Sequence, residues 1–362
     1  RCSSATSIDL PRLPATGTYT MVIVPSALAV LQATFTLSTD SAVILPLNGP
    51  ASIFSTARVG QNARYSFTGT AGQSLSLVLN ENIFQGSTRI YVYSPNGAQL
   101  TLTSLFYSTG PGIVRAVDLP TLSATGVYTV FITPQGTATG SMRVTVWTDA
   151  PGPLLVNGAA TPMTLPLGRN GRYTFAGTTG QHLGIGITNF VTAPPNRNVG
   201  LTIYKPDHTV LMNCGTVSHT SGGNSCDLPA LPVTGTYTVW GDNGEWAVTG
   251  TLWLSADVIG TLTPNAPAKV FSTTRVGQNA RYSFSGTVGQ SFLLVLSGTT
   301  FPGSTRVNVY KPDGTLLTST SLPLGGSRTV NLTNLATPGN YTVFITPQGT
   351  AIGAINTRLL TP

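Results

Sequence analysis

The chain has 362 residues and a formal net charge of +7, yet only 8% of its residues are charged, against about 25% in an ordinary soluble domain. The arginines and lysines are scattered without a basic run, so the composition argues against a nucleic-acid-binding protein. No apolar stretch reaches the roughly 18 uninterrupted residues of a membrane-spanning helix, so no membrane span is predicted. With 41% hydrophobic residues in alternating patterns, the chain is typical of a folded secreted or surface β-protein rather than a disordered one.

Two sequence markers recur along the chain. Variants of G-x-x-x-R-Y-x-F-x-G-T-x-G-Q contain Tyr65, Tyr173 and Tyr282, which are 108 and 109 residues apart (173−65 and 282−173). A repeat of this length is a small domain rather than one turn of a solenoid. The second marker, L-x-x-x-G-x-Y-T, recurs at Tyr19, Tyr128, Tyr237 and Tyr341. The markers predict a half-repeat (1–40) followed by a first repeat (41–149), a second repeat (150–257) and a third repeat (258–362).

The half-repeat carries only the second marker, and the chain begins with Arg1 rather than Met. Half of a β-domain would leave strand edges unpaired and apolar surface exposed to water. We therefore expect residues 1–40 to be the C-terminal half of a truncated repeat from a longer chain. Cys2 has no evident disulfide partner in this sequence, and we expect that partner to lie in upstream sequence.

The first repeat shows the pattern of short strands. Residues 64–68 and 75–79 alternate between apolar and polar side chains, and Pro95-Asn96-Gly97 is a turn sequence between two further alternating runs. Roughly eight such strands separated by turns are typical of an all-β sandwich. No window keeps a helical apolar period with caps, so no significant helix is predicted. The predicted fold is a tandem array of β-sandwich domains, Ig-like or jelly-roll-like.

The tyrosine of the second marker resembles the tyrosine corner of β-sandwich domains, in which the hydroxyl returns to upstream backbone. This structural role is predicted for four residues: Tyr19, Tyr128, Tyr237 and Tyr341. A ligand-binding role for the same tyrosines is the alternative.

Alternation in the strand that follows each of these tyrosines places a large apolar side chain on the outer face of the sheet. The four positions are Val22, Phe131, Trp240 and Phe344. Either a loop covers these side chains, or they form contacts between domains or chains.

The second repeat differs from the others in its cysteines and tryptophans. Cys214 and Cys226 flank a Gly/Ser-rich stretch, which predicts a disulfide and an oxidising compartment. No C-x-x-C or paired His accompanies them, so no metal site is predicted. Trp240, Trp246 and Trp253 cluster late in the repeat. They are either core and interface residues or a platform on which a glycan stacks.

The chain offers few groups for catalysis. Asp9, Asp118 and Asp227 each precede Leu-Pro, and Asn331 takes the matching place in the third repeat, which favours a backbone hydrogen bond over acid–base chemistry. The three histidines share no ligand spacing, and no nucleophile motif is present. Asp242 and Glu245 alone supply too few oxygens for a hard cation. The sequence therefore predicts a non-enzymatic protein with no cofactor and no metal.

The motifs also carry a family resemblance. G-R/A-R-Y-x-F-x-G-T-x-G-Q, V-Y-x-P-D-G and D-L-P-x-L-x-x-T-G-x-Y-T-V resemble the β-sandwich modules of the bacterial pre-peptidase C-terminal type. Similar modules occur in tandem in large secreted and surface proteins, some with RHS/YD repeats. The resemblance covers nearly the whole chain and implies non-catalytic appendages or spacers. The low acidic content departs from the calcium-binding members.

The repeats alternate between two types, because the first resembles the third and the second shares Leu-Pro-x-Thr-Gly-Thr-Tyr-Thr with the half-repeat. The linkers at residues 147–153 and 254–258 are short, which favours a semi-rigid rod. We therefore expect an extracellular structural protein, a stalk or subunit of a bacterial surface filament, appendage or adhesin. Its expected partners are copies of itself or neighbouring repeats. The alternative is an array of glycan-binding modules of a secreted hydrolase, with surface polysaccharide as the ligand.

Overall fold

A computed structural model describes residues 7–24, 32–107 and 114–362. This part of the chain is all-β, with 27 strands and a single 3-10 turn, His219–Ser221. The prediction of an all-β chain without significant helix is confirmed. The chain divides into two compact units, Arg1–Asp149 and Ala150–Pro362.

The described residues of the unit 1–149 form nine strands in two sheets. The five-stranded sheet has the order β1-β3-β8-β5-β6, and the four-stranded sheet has the order β2-β9-β4-β7. The bounds are β1 Ser41–Ile44, β2 Ser52–Thr56, β3 Ala63–Gly69, β4 Leu75–Asn80, β5 Ser87–Tyr93, β6 Gln99–Phe106, β7 Arg115–Asp118, β8 Gly126–Pro134 and β9 Gly140–Thr148.

The unit of residues 150–362 repeats this topology twice. In the second repeat the sheets are β10-β12-β17-β14-β15 and β11-β18-β13-β16, and in the third they are β19-β21-β26-β23-β24 and β20-β27-β22-β25. The strands of the second repeat are β10 Ala150–Pro153, β11 Thr161–Leu165, β12 Gly171–Gly177, β13 Leu183–Ala193, β14 Asn198–Tyr204, β15 Val210–Ser218, β16 Asn224–Asp227, β17 Gly235–Asp242 and β18 Ala247–Ala256. Those of the third are β19 Val258–Thr261, β20 Lys269–Thr273, β21 Ala280–Gly286, β22 Phe292–Ser297, β23 Thr305–Tyr310, β24 Leu316–Leu322, β25 Arg328–Leu332, β26 Gly339–Pro347 and β27 Gly353–Leu360.

Within each sheet, neighbouring strands are antiparallel except for the first pair of the five-stranded sheet. This pair is β1–β3, β10–β12 or β19–β21, according to the repeat. Short hairpin connections allow antiparallel pairing, whereas a parallel pair needs a crossover. Here β2, β11 or β20 lies in the crossover and joins the other sheet.

Each repeat has one hydrophobic cluster that takes residues from both of its sheets. In the first repeat Tyr65 and Tyr128 come from the five-stranded sheet, and Leu77 and Val144 come from the four-stranded sheet. The same aromatic stack lies in every cluster, with ring centroids 5.3 Å apart for Phe67–Tyr128, 5.2 Å for Phe175–Tyr237 and 5.3 Å for Phe284–Tyr341. The recurring tyrosines and phenylalanines of the sequence are therefore core residues.

The tyrosine of the second marker forms the same hydrogen bond in all four places. Its hydroxyl donates to the carbonyl oxygen four residues upstream over 2.6 Å in each case. The pairs are Tyr19–Ala15, Tyr128–Ala124, Tyr237–Val233 and Tyr341–Thr337. This is the hydrogen bond that a tyrosine corner requires.

The disulfide Cys214–Cys226 lies where the sequence predicts it. Cys214 is in β15, the outermost strand of the five-stranded sheet, and Cys226 is in β16, the outermost strand of the four-stranded sheet. The bond therefore fastens the two sheets of the second repeat together at one edge.

The half-repeat differs from the full repeats. Residues 7–24 and 32–40 form no strand, and β1 begins at Ser41. The alternation around Tyr19 predicted a strand there, and that prediction is wrong for the described residues, because no described strand pairs with this segment. Cys2 lies outside the described residues.

Candidate functional site

The four predicted outer positions have different surroundings. Phe131 and Phe344 are only 6% exposed, because an arginine of the neighbouring strand covers each ring: Arg64 Cζ lies 4.1 Å from the Phe131 centroid, and Arg281 Cζ lies 3.9 Å from that of Phe344. Trp240 is half-buried opposite Arg172, and Val22 is 78% exposed. The phenylalanines are therefore covered from within their own repeats by an arginine side chain, which is neither of the two alternatives that the sequence left open, a covering loop or a contact between domains or chains.

The three tryptophans of the second repeat do not share a sheet. Trp240 lies in β17, Trp253 lies in β18 of the other sheet, and Trp246 lies between these strands. Trp246 Nε1 donates to Asn198 O over 3.2 Å, and Trp253 Nε1 donates to Thr188 Oγ1 over 3.2 Å. The structure therefore does not gather them into one platform for a glycan.

Several described polar and charged side chains of residues 150–362 meet where the second repeat contacts the third. We call this place the joint. Asp227, which ends β16, accepts hydrogen bonds from Asn279 Nδ2 over 2.8 Å and from Thr346 Oγ1 over 3.0 Å. Asp257, between β18 and β19, forms an ion pair with Arg281 Nε over 2.6 Å. The Asp257 side chain is 2% exposed and that of Arg281 is 20% exposed, so solvent screens this pair weakly.

Arg275 is the second anchor of the joint. It belongs to the loop between β20 and β21 of the third repeat and makes three hydrogen bonds to the second repeat. Its Nε donates to Ser255 Oγ over 3.0 Å, its Nη1 to Gly158 O over 2.8 Å and its Nη2 to Leu254 O over 3.1 Å. The guanidinium also lies 5.1 Å from the Trp253 ring centroid. Its rigid planar fork suits several acceptors at once, which a lysine ammonium would not.

Two glycines of β13 allow the backbone of this loop to approach. A Cβ added at Gly184 would lie 1.9 Å from Gly277 O, and one added at Gly186 would lie 2.3 Å from Val276 O. Any side chain at either position would therefore displace the loop. The matching strand of the third repeat carries Leu293 and Val295 there, so its outer face has a different shape.

Burial changes the proton affinities at the joint. It raises the pKa of Asp227, against the hydrogen bonds from Asn279 and Thr346, which lower it. Burial, followed by the charge of Arg281, lowers the pKa of His182, whose Nδ1 has no hydrogen-bond partner among the described residues. The joint therefore favours an uncharged His182 and makes an ionised Asp227 costly.

The unit of residues 1–149 contains a matching set of contacts. Asp9 accepts from Asn62 Nδ2 over 2.8 Å and from Thr133 Oγ1 over 3.0 Å. Arg64 Nε pairs with Asp40 over 2.6 Å, as Arg281 pairs with Asp257. The half-repeat thus contacts the first repeat through the residue types by which the second repeat contacts the third.

The sequence predicts a backbone hydrogen bond for the Asp-Leu-Pro aspartates, whereas the structure shows Asp9 and Asp227 accepting from side chains. Asp118 likewise accepts from Ser76 Oγ over 3.0 Å. Sequence reasoning also missed Arg275, Asn279, Gly184 and Gly186. Only the arginine and asparagine left a signal, since the first and third repeats share the run Arg-Val-Gly-Gln-Asn.

The described part of the chain brings no three His, Cys, Asp or Glu side chains together as metal ligands. Among the same residues, no helix is long and apolar enough to cross a membrane. What the joint does chemically is hold two repeats in one relative position.

No family model and no curated protein matches the chain. Among solved structures, it is similar to the triple jelly-roll protein of an archaeal virus turret, at 13% identity and a TM-score of 0.20 over 86% of this chain and 90% of that one. It is also similar to tripeptidyl peptidase 2, at 10% identity and a TM-score of 0.18 over 88% of this chain and 30% of that one. These TM-scores are too low to carry an argument. The resemblance to pre-peptidase C-terminal modules stays a prediction.

Proposed function

We propose that the chain is a non-enzymatic extracellular structural protein, a stalk or subunit of a bacterial surface filament, appendage or adhesin. The observation that supports this most is the joint. Asp227 with Asn279 and Thr346, and Asp9 with Asn62 and Thr133, connect successive parts of the chain in the same way. A chain that reuses one connection is suited to extension by adding repeats.

The proposal includes a finer description of the fold, a series of β-sandwich domains. Each full repeat has two mainly antiparallel sheets and one hydrophobic cluster to which both sheets contribute residues. Two sheets that bury their apolar faces against each other form a sandwich. In the proposal each repeat is stable through its own core, and the joint sets the angle to the next repeat.

The polar character of the joint supports a mechanical role. Hydrogen bonds and ion pairs depend on direction, so a joint built from Arg275, Asp227 and Asp257 fixes orientation as well as distance. A purely apolar contact would allow sliding. The expected partners are therefore neighbouring repeats or further copies that meet through similar contacts.

An extracellular location is supported by the disulfide Cys214–Cys226, since disulfides persist in oxidising compartments.

Immunogold electron microscopy of producing cells tests the proposal. Antibodies raised against the third repeat should label extended structures on intact cells without permeabilisation. A matched antibody against a cytoplasmic protein of the same cells should label nothing under those conditions. Label that appears only after permeabilisation, or only on dispersed single molecules that bind polysaccharide, would count against a structural role at the surface.

A further inference from the structure

Residues 7–24 match residues 225–242 of the second repeat without a gap. The two stretches are identical at 11 of 18 positions, including Asp-Leu-Pro and Pro-x-Thr-Gly-Thr-Tyr-Thr. Both make the hydrogen bond of the tyrosine corner, with 2.6 Å from Tyr19 Oη to Ala15 O and from Tyr237 Oη to Val233 O. The half-repeat segment therefore has the sequence and the local turn of an assembled repeat.

The burial of the two stretches differs sharply. Three core residues of the second repeat, Leu228, Leu231 and Tyr237, are at most 1% exposed, whereas their counterparts Leu10, Leu13 and Tyr19 are 56%, 53% and 50% exposed. Met21 and Ile23, which alternation places on the side of Tyr19, are 65% and 42% exposed, and Val22 and Val24 on the opposite side are 78% and 82% exposed. We call these five residues, Leu10, Leu13, Tyr19, Met21 and Ile23, the open face.

Asp9, near the start of this segment, already contacts the first repeat. Asp9 contacts Asn62 and Thr133 as Asp227 contacts Asn279 and Thr346. The segment thus contacts the first repeat through Asp9 as the second repeat contacts the third through Asp227, while its apolar side chains have no cover from the described residues.

A second observation shows that this connection is incomplete. Ser38 corresponds to Ser255, whose Oγ accepts from Arg275 Nε over 3.0 Å. Ser38 Oγ is buried and has no hydrogen-bond partner among the described residues. Arg58, the counterpart of Arg275 in the shared run Phe-Ser-Thr-x-Arg-Val-Gly, is exposed. The acceptor and the donor of this bond are both present, but the bond is not made.

We infer that the open face is a docking site for a β-half-module, a polypeptide with the strand pattern of residues 150–224. This inference rests on the proposed series of sandwich domains. In the second repeat, β17 lies between β12 and β14, so the partner must supply a strand on each side of residues 17–24. It must also supply an aromatic ring for Tyr19, as Phe175 stacks on Tyr237 with centroids 5.2 Å apart. When the partner docks, residues 17–24 pair as a strand, and Arg58 donates a hydrogen bond to Ser38 Oγ.

The test is a fusion in which a copy of residues 150–224 replaces residues 1–6 and is followed directly by residues 7–362. The appended copy carries Cys214→Ser, because Ile8 stands where Cys226 would pair with it. Hydrogen exchange is measured for the amides of residues 17–23 in the fused and unfused chains. Docking is expected to slow this exchange by about 100-fold or more, because strand pairing protects amides, towards the rates of residues 235–241.

Two variants of the appended copy provide the control. Phe175→Asp places a charge at the buried stacking position and should abolish the protection. Thr174→Asp changes the exposed neighbour on the same strand and should leave the protection intact. Arg58→Ala should lower the stability of the fused chain and leave that of the unfused chain unchanged.

Equal exchange of residues 17–23 in the fused and unfused chains would overturn the inference. So would protection of the unfused chain that rises with its concentration, because a second copy would then be the occupant. Neither result depends on cell-surface labelling of the native protein, so failure of the inference and failure of the proposed function are distinguishable.

Discussion

At the scale of single residues, Asp227 shows how burial and hydrogen bonding oppose each other in the joint. Its carboxylate is held by Asn279 and Thr346, but burial makes the charge itself unfavourable and raises its pKa. In the third repeat the matching residue is Asn331, which keeps an acceptor without the charge. We therefore expect that the joint needs the accepting oxygen at this position and not the charge.

Replacing Asp227 tests this distinction. Asp227→Ala leaves the buried Thr346 hydroxyl without its acceptor and Asn279 Nδ2 with only its longer contacts, to Asp257 Oδ1 over 3.3 Å and to Gly277 O over 3.5 Å. It should lower the free energy of unfolding of residues 150–362 by about 1–3 kcal/mol. Asp227→Asn keeps an acceptor and should leave it equal to or above the wild-type value near neutral pH. Urea unfolding measures both, and an equal loss in the two variants would show that the charge is required.

The pH dependence follows from the direction of the shift. A carboxyl whose pKa is raised by folding contributes stability that is fully present below its ordinary value of 3.8 and is lost as the pH rises through the folded value. The advantage of Asp227→Asn over the wild type should therefore shrink as the pH falls towards 3.8. His182 has the opposite sign, since its lowered pKa makes acidification below 6.5 destabilising. Because both proteins carry His182, their difference isolates Asp227.

Arg275 is the residue whose loss should loosen the joint most. Arg275→Ala removes three hydrogen bonds and leaves the carbonyls of Gly158 and Leu254 without this donor. We expect a loss of about 2–3 kcal/mol in chemical unfolding of residues 150–362, with Arg275→Lys recovering less than half of it. The matched control is the exposed Arg58→Ala, which should change stability by less than about 0.5 kcal/mol. A similar cost for the two alanine variants would refute the anchoring role.

At the scale of strands and sheets, much of the fold could be predicted from residue patterns. Alternation along residues 64–68 places Tyr65 and Phe67 in the core, as β3 shows, and the tyrosine corners follow from a local motif. The joint could not be predicted in this way. Asp227 meets Asn279 across 52 residues of sequence, and Gly184 matters only because Gly277 approaches it. Such contacts depend on how folded repeats dock, which local alternation does not encode.

The half-repeat shows that a strand pattern in the sequence does not by itself produce a strand. Residues 17–24 align with β17, yet residues 7–24 form no strand in the structure. A strand needs partners for its backbone groups, and the pattern alone does not provide them.

The disulfide acts at the level of whole strands, because it joins the edge strands β15 and β16 of two sheets. The bridged cysteines are 12 residues apart, and closing a loop of this size is expected to stabilise the fold by about 3 kcal/mol. The double variant Cys214→Ser, Cys226→Ser should lower the free energy of unfolding of the second repeat by that amount. Hydrogen exchange of the amides of this repeat measures the loss. The amides of the first repeat serve as the internal control. No change in β15 and β16 would mean that core packing alone holds the two sheets together.

For the whole molecule, we propose a series of repeats that fold around separate cores and are held together by polar contacts like those of the joint. The hydrophobic clusters of the second and third repeats are distinct, and the hydrogen bonds of Arg275 and Asp227 run between these repeats. Series assembly then needs no new fold at each step. It needs only a loop that matches the face of the preceding repeat.

The most direct measurement is the distance distribution between the second and third repeats by electron–electron double resonance. Spin labels at Thr174→Cys and Ser285→Cys, both exposed, in a Cys2→Ser background would report how widely the separation of the two repeats varies across the joint. We expect a single narrow distribution that broadens when Arg275→Ala and Asn279→Ala are combined and stays narrow with Arg58→Ala. A broad distribution in the otherwise unchanged chain would contradict a joint that holds the two repeats in one position.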